Sequence, residues 1–246
     1  MPKDVIIACD FPSKRETLGF LDLFGETKPF VKIGMELFYS EGPAMIKELK
    51  HRCHKVFLDL KLHDIPNTVE RAMRNLSALG VDIANVHAAG GIKMMERGLK
   101  GITEGSSSGV TCDGGKSPVG TGSPLLIAVT QLTSTDKETM NGEIMIPGEV
   151  KDCVMKYAAN AKAAGLGGVV CSPLEAGIIH DALGMDFMTV TPGIRLAGDD
   201  PGDQARVTDP AKARELGSDY IVVGRSITQA EDPVKAYEKC VKDFLG

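Results

Sequence analysis

Eight short apolar, β-branched runs, the amphipathic stretches between them and a length of 246 residues predict an α/β chain closed as one (β/α)8, or TIM, barrel. About 150 residues per domain would suggest two units, but barrels of this kind commonly run to about 250 residues as one. Residues 1–246 are therefore read as one domain.

The runs occupy residues 5–10, 30–35, 55–62, 83–89, 125–132, 168–172, 188–193 and 220–225. Their near-continuous apolar character suits parallel strands covered on one face by helices and on the other by the barrel interior. The segments between them carry helical spacing. In residues 68–79, Val69, Ala72, Met73, Leu76 and Leu79 recur at intervals of three or four. Pattern alone leaves an open, doubly wound sheet as the alternative. One segment breaks the rhythm: residues 105–124 (GSSSGVTCDGGKSPVGTGSP) are rich in Gly and Ser without an apolar period, and are expected to form a flexible insertion. It joins the fourth helix to the fifth strand, on the N-terminal face that serves stability, so it is read as decoration, with Cys112 exposed.

The chain carries 28 basic and 33 acidic residues, a formal charge of −5. No dense Lys/Arg stripe exists, which argues against nucleic acid and anionic membrane as partners but leaves room for a small anion held by a few local cations. The six cysteines are scattered and form no C-x-x-C pair. The opening MPKDVIIACD reaches an aspartate too soon for a signal-peptide apolar region, and no run of about 18 apolar residues exists for a membrane span. A cytoplasmic protein with reduced thiols is expected.

Catalytic groups in such barrels sit at the C-terminal ends of strands. The first run ends in Asp10, the second carries Lys32, and the third reads Val56-Phe57-Leu58-Asp59-Leu60-Lys61 before Leu62-His63-Asp64. Side chains at i and i+2 share a strand face, so Phe57, Asp59 and Lys61 point together, opposite Val56, Leu58 and Leu60. The apolar set should meet the helices, leaving Asp59 and Lys61 in the barrel mouth; Lys32 points inward by the same rule. One buried Lys–Asp pair would be read as structural. Four alternating charges at the catalytic end of apolar segments favour function, because burying them is costly unless they are used.

Two further segments suit an anion. Thr189-Val190-Thr191-Pro192-Gly193-Ile194-Arg195 ends the seventh run and Ile221-Val222-Val223-Gly224-Arg225-Ser226 the eighth, where barrels frequently bind phosphate. Gly224 permits close backbone approach and Arg225 offers a bidentate fork. Residues 196–204 (LAGDDPGDQ) between them have the composition of a closing lid.

Residues 59–68, Asp-Leu-Lys-Leu-His-Asp-Ile-Pro-Asn-Thr, resemble the signature of the orotidine 5′-phosphate decarboxylase family. The resemblance continues through FVKIGMELFY, NVHAAGG, AVTQLTS, VTPGIR and VVGRSI, covers nearly the whole chain, and is strongest to the short bacterial form. It implies a homodimeric barrel with active sites shared across the interface, no cofactor and no metal, converting orotidine 5′-monophosphate to UMP at the end of pyrimidine synthesis. Lys61 would be the proton donor, flanked by Asp59. Asp64 and Thr68 would enter the partner subunit's site. Lys32 and Asp10 would meet the ribose hydroxyls, Thr133 the pyrimidine, and Gln204, Gly224 and Arg225 the phosphate, with Arg195 at the lid's base. The segment at 105–124 is longer than the family pattern leads one to expect.

Three other readings remain open at this point. Metal-dependent sugar-phosphate decarboxylases and synthases share D-x-K-x-x-D, an aldolase would use Lys61 as a Schiff base, and a scaffold barrel would bind phosphate without chemistry. His51-Arg52-Cys53-His54 resembles a metal tract but is expected to be a solvated turn on the N-terminal face. His63 is read as a positioning group, His87 as either a site neighbour or a hydrogen-bonded core histidine, and His180 as a surface helix residue. Cys9 and Cys171 are read as small buried apolar groups, and Met94 and Met95 as packing.

Overall fold

The eight runs become eight parallel strands joined in chain order: β1 (Asp4–Ala8), β2 (Phe30–Ile33), β3 (Val56–Leu62), β4 (Ile83–His87), β5 (Leu125–Val129), β6 (Gly168–Val170), β7 (Met188–Thr191) and β8 (Tyr220–Val223). β8 pairs back onto β1, with Asp4 opposite Tyr220, which closes the barrel and removes the open-sheet alternative. The structure is a computed structural model and describes residues 3–105, 124–196 and 207–246. The segment at 105–124, Cys112 within it, and all of 196–204 but its first residue lie outside the described residues, except for Gly105 and Pro124 themselves.

Helices α1 (Lys14–Asp22), α2 (Met35–Glu41), α3 (Pro43–His51), α4 (Pro66–Ser77), α5 (Gly91–Gly105), α6 (Val150–Ala163), α7 (Pro173–Leu183), α8 (Pro210–Glu215), α9 (Arg225–Thr228) and α10 (Pro233–Leu245) alternate with the strands. Their starts follow local chemistry. Ser172 and Glu175 form a reciprocal capping box on α7, and Asp209 and Asp232 cap α8 and α10. The helix expected at 68–79 begins two residues earlier because Pro66 occupies the first turn, where its missing N–H costs no bond.

Period-two alternation sorts the core into two layers. Val5, Ile7, Val31, Ile33, Val56, Leu58 and Leu60 pack outward beneath the helices, while Ile6, Phe30, Phe57, Ile83, Ile127 and Val222 fill the barrel interior. Cys9, Cys171, Met94 and Met95 are buried, as expected of packing residues. Helices α4 and α5 approach closely: a Cβ at Gly101 would overlap the Glu70 carbonyl, so this position needs glycine. That contact seats the helix that carries Thr68 in its first turn and follows directly on the loop with Asp64.

The N-terminal end is closed by buried polar ties. Lys50 Nζ lies 2.6 Å from Asp82 Oδ2, which also accepts from the Val56 N–H. His180 corrects the sequence reading: it is buried, with Nε2 3.0 Å from Asp219 Oδ2. Asp219 in turn accepts from the Thr189 main chain at 2.8 Å and its hydroxyl at 3.1 Å. A helix position reads as surface only until a strand carboxylate turns up beneath it. In the 51–54 tract, His51 and Cys53 are exposed as expected, but His54 is buried with Nδ1 2.9 Å from the Pro29 carbonyl, and burial lowers its pKa.

Candidate active site

Strands β1, β2 and β3 deliver the four charges expected at the barrel mouth. Lys32 Nζ donates to Asp10 Oδ1 at 2.9 Å and lies 3.6 Å from Asp59 Oδ2; Lys61 Nζ donates to Asp59 Oδ1 at 2.8 Å. The chain of charge therefore alternates Asp10, Lys32, Asp59, Lys61. Asp10 lies two residues beyond the end of β1 and Lys61 is the next-to-last residue of β3, where the pairing with β4 shifts register.

Burial and pairing compete in this row, and pairing wins. Burial alone would push the Asp59 pKa up, but the Lys32 and Lys61 ammonium groups and hydrogen bonds from Lys61 and Asn85 hold it below the usual carboxylate range. Burial would lower the Lys32 pKa, yet Asp59 and Asp10 raise it. Both groups are thereby kept ionised at neutral pH.

These residues line a cavity of about 580 Å³. Phe57 and Val170 floor it, Thr133 and Gln131 reach it from the segment after β5, and Gly193 and Arg195 from the segment after β7. Gly224 and Arg225, at the start of α9, complete the wall with Gln229. The structure thus brings together Asp10, Lys32, Asp59, Lys61, Thr133, Arg195, Gly224 and Arg225. It does not bring Asp64 or Thr68 into the same chain's cavity: both are exposed, and Asp64 Oδ1 accepts from the Ile65 N–H at 2.6 Å. Gln204 lies outside the described residues.

Several neighbours were not singled out from the sequence. Asn85, 1% exposed on β4, donates to Asp59 Oδ1 at 2.7 Å and accepts from the Lys61 main-chain N–H at 2.7 Å. Its signal was present: Ile83, Asn85 and His87 share the inward face, and an amide inside an apolar strand needs partners. Gly34 leaves room for the charge row, since a Cβ there would come 3.1 Å from Asp10 Oδ1 and 3.3 Å from Lys32 Nζ. Gln229 follows Arg225 by one helical turn, a spacing that puts both on one side. His63 and His87 stack at the rim with ring centroids 5.7 Å apart, and burial, with the nearby His63 and Lys61, lowers the His87 pKa. His87 is half-buried, and its Nδ1 accepts from the Ala89 N–H at 3.2 Å in an exposed bond, so it is a hydrogen-bonded neighbour of His63 at the rim and not a core histidine.

Chemically, the cavity offers an ammonium fixed against a carboxylate in one wall and guanidinium groups in another. Comparison with known proteins finds relatives along nearly the whole chain. The family model described as Orotidine 5′-phosphate decarboxylase / HUMPS family matches residues 3–240. The orotidine 5′-phosphate decarboxylase of Bacillus cytotoxicus is 53% identical over 246 residues, covering 100% of this chain and 99% of the relative. Among solved structures, the orotidine 5′-phosphate decarboxylase of Lactobacillus acidophilus superimposes with a TM-score of 0.85 at 40% identity, covering 99% of this chain and 100% of that one. An uncharacterized conserved protein from Geobacillus kaustophilus does so with a TM-score of 0.83 at 47% identity, covering 98% and 99%. On the whole-chain match and the full-length identity, this chain belongs to the orotidine 5′-phosphate decarboxylase / HUMPS family.

Proposed function

We propose that this chain decarboxylates orotidine 5′-monophosphate to UMP, the last step of pyrimidine synthesis, without metal or organic cofactor and in the cytoplasm. The observation that carries the reading is the Lys61 ammonium, held 2.8 Å from Asp59 in the wall of a cavity that Arg195 and Arg225 also line. Arg225, Arg195, Gly224 and Gln204 hold the phosphate, Lys32 and Asp10 the ribose hydroxyls, and Thr133 the pyrimidine. Gly224 caps α9 in the cavity wall, where the lack of a side chain permits close approach of the substrate.

In this reading the bond from C6 to the carboxylate breaks heterolytically and leaves its electron pair in the ring plane, where resonance gives little relief. CO2 departs, Lys61 Nζ gives a proton to C6, and the lysine regains one from water. The ammonium also stabilises the developing charge in advance, and a preorganised group costs no reorganisation at the moment of reaction. Asp59 holds that ammonium in place at 2.8 Å and stands near where the substrate carboxylate must fit. Phosphate binding at a distance directs binding energy toward the transition state.

The same reading makes the protein a homodimer in which Asp64 and Thr68 complete the partner's site, which accounts for their exposure in a single chain. Mixing Lys61→Ala with Asp64→Ala subunits should then restore activity, because each mixed dimer contains one intact site. Two singly inactive variants that stay inactive when mixed would remove the shared site.

The D-x-K-x-x-D residues are also compatible with a metal-dependent sugar-phosphate enzyme, whose ion the same carboxylates could hold. One assay separates the two: loss of orotidine 5′-monophosphate absorbance in EDTA, wild type beside Lys61→Ala. Undiminished wild-type turnover and a loss of at least about a hundredfold in the variant are expected. Activity abolished by EDTA, or near-normal turnover by Lys61→Ala, overturns the proposal.

A further inference from the structure

We propose that Asn85 is a positioning residue for the Lys61–Asp59 pair, its one side-chain amide setting both the backbone of the lysine and the carboxylate that faces it. The inference rests on the decarboxylase reading above and adds a residue that touches no substrate.

Three observations converge on it. The register between β3 and β4 shifts between Leu58 and Leu62, so regular ladder pairing lapses across the residues that carry the chemistry. Lys61 within that interval has φ of 53°, the left-handed region that a lysine rarely adopts and that persists only where surroundings hold it. The Lys61 N–H finds its partner in Asn85 Oδ1 at 2.7 Å. The other end of the same amide donates to Asp59 Oδ1 at 2.7 Å, the very oxygen that accepts from Lys61 Nζ at 2.8 Å.

These contacts make a closed ring: Lys61 main chain, Asn85 amide, Asp59 carboxylate, Lys61 ammonium. The amide completes it with an acceptor and a donor on separate atoms of one planar group, whereas an ionised aspartate would set an oxygen against an oxygen. Because Asn85 is 1% exposed, water cannot substitute readily for either contact. Without the amide, the lysine backbone is free to return to an extended conformation, and that carries the ammonium away from where C6 must stand. A displacement of about 1 Å can cost on the order of a hundredfold in rate.

The experiment compares wild type, Asn85→Ala and Asn85→Asp for turnover of orotidine 5′-monophosphate and for UMP affinity by calorimetry, from mildly acidic to mildly alkaline pH. Asn85→Ala should lower kcat by about ten- to hundredfold, the worth of one or two hydrogen bonds to charged groups. KM and UMP affinity should stay within about threefold, because Arg225, Lys32 and Asp10 are untouched. Asn85→Asp keeps the acceptor for Lys61 but, once ionised, turns a carboxylate toward Asp59; protonation restores an O–H donor. Its deficit relative to wild type should therefore shrink as pH falls, which a purely structural role would not produce.

If Asn85→Ala does not fold, the pH dependence of Asn85→Asp decides. Turnover by Asn85→Ala within about twofold of wild type, a parallel loss of kcat and UMP affinity, or a pH-independent Asn85→Asp ratio overturns the inference while leaving the decarboxylase reading in place. An inactive wild type removes that reading first, and the inference with it.

Discussion

Both ends of the barrel bury charge, and the two ends use it differently. At the N-terminal end, Asp82 takes Lys50 and a backbone N–H, and Asp219 takes His180, a backbone N–H and a hydroxyl. These carboxylates spend their hydrogen-bonding capacity on neighbouring elements and line no part of the cavity at the mouth. At the C-terminal end, Asp10, Lys32, Asp59 and Lys61 satisfy one another along a row whose free side faces a cavity of about 580 Å³. A buried ion pair is therefore weak evidence for function until the direction of its free side is known. The first kind staples helices to strands; the second is open to a ligand.

The sharpest way to break this contrast is to remove one charge from each end. Asp59→Ala should cost about a thousandfold or more in kcat/KM, since the ammonium loses the group that places it. Its melting temperature should fall less than that of the N-terminal variant, because Lys32 keeps Asp10 and Lys61 reaches the cavity. Lys50→Ala should do the reverse: a stability loss of about 3–5 kcal/mol in urea unfolding, from an uncompensated buried Asp82, with kcat per folded site unchanged. Equal effects of the two substitutions on activity would dissolve the distinction.

A smaller effect is expected at the cavity wall that carries Gly224 and Arg225. Arg225→Ala should lower kcat/KM by about ten- to hundredfold, the worth of a charge-assisted contact, measured as a steady-state rate. A loss confined to Tm would move Arg225 to the structural class.

The smallest effect concerns pH. The Asp59 pKa is depressed in the fold, so its contribution is present above the ordinary value of 3.8 and is lost as pH falls through the lower folded value. The Lys32 pKa is raised, so its contribution is present below 10.5 and is lost as pH rises through the higher folded value. Melting temperature against pH should accordingly show a plateau with a shoulder on each side, and Asp59→Ala should flatten both relative to wild type. Unchanged shoulders would mean that other groups set them.

Much of this organisation was legible in the sequence, and the limits of that legibility have a physical cause. Strand number, the inward face of β3 and the convergence of Lys32, Asp59 and Lys61 all follow from period-two alternation, which is a local property. The expected run at 5–10 overshoots β1, which ends at Ala8, because ladder hydrogen bonds stop where the site begins. His180 was misread because the carboxylate that buries it stands 39 residues away, and no local pattern announces it. Asn85 shows a similar separation of 26 residues from Asp59, and its strand position alone could have flagged it. Asp64 and Thr68 remain readable only through the family signature, since a single chain gives them no cavity to enter.

The left-handed backbone at Lys61 sets a limit on redesign. Glycine is the residue that adopts such a conformation without penalty, so a protein engineer scanning for positions to make this barrel more robust would be drawn to position 61 by its φ of 53°. The substitution that relaxes the chain there deletes the ammonium to which the proposed reaction assigns the proton transfer. If the proposed chemistry holds, robustness and turnover pull against each other at this residue, and improvements in the first are better sought at the opposite end of the barrel.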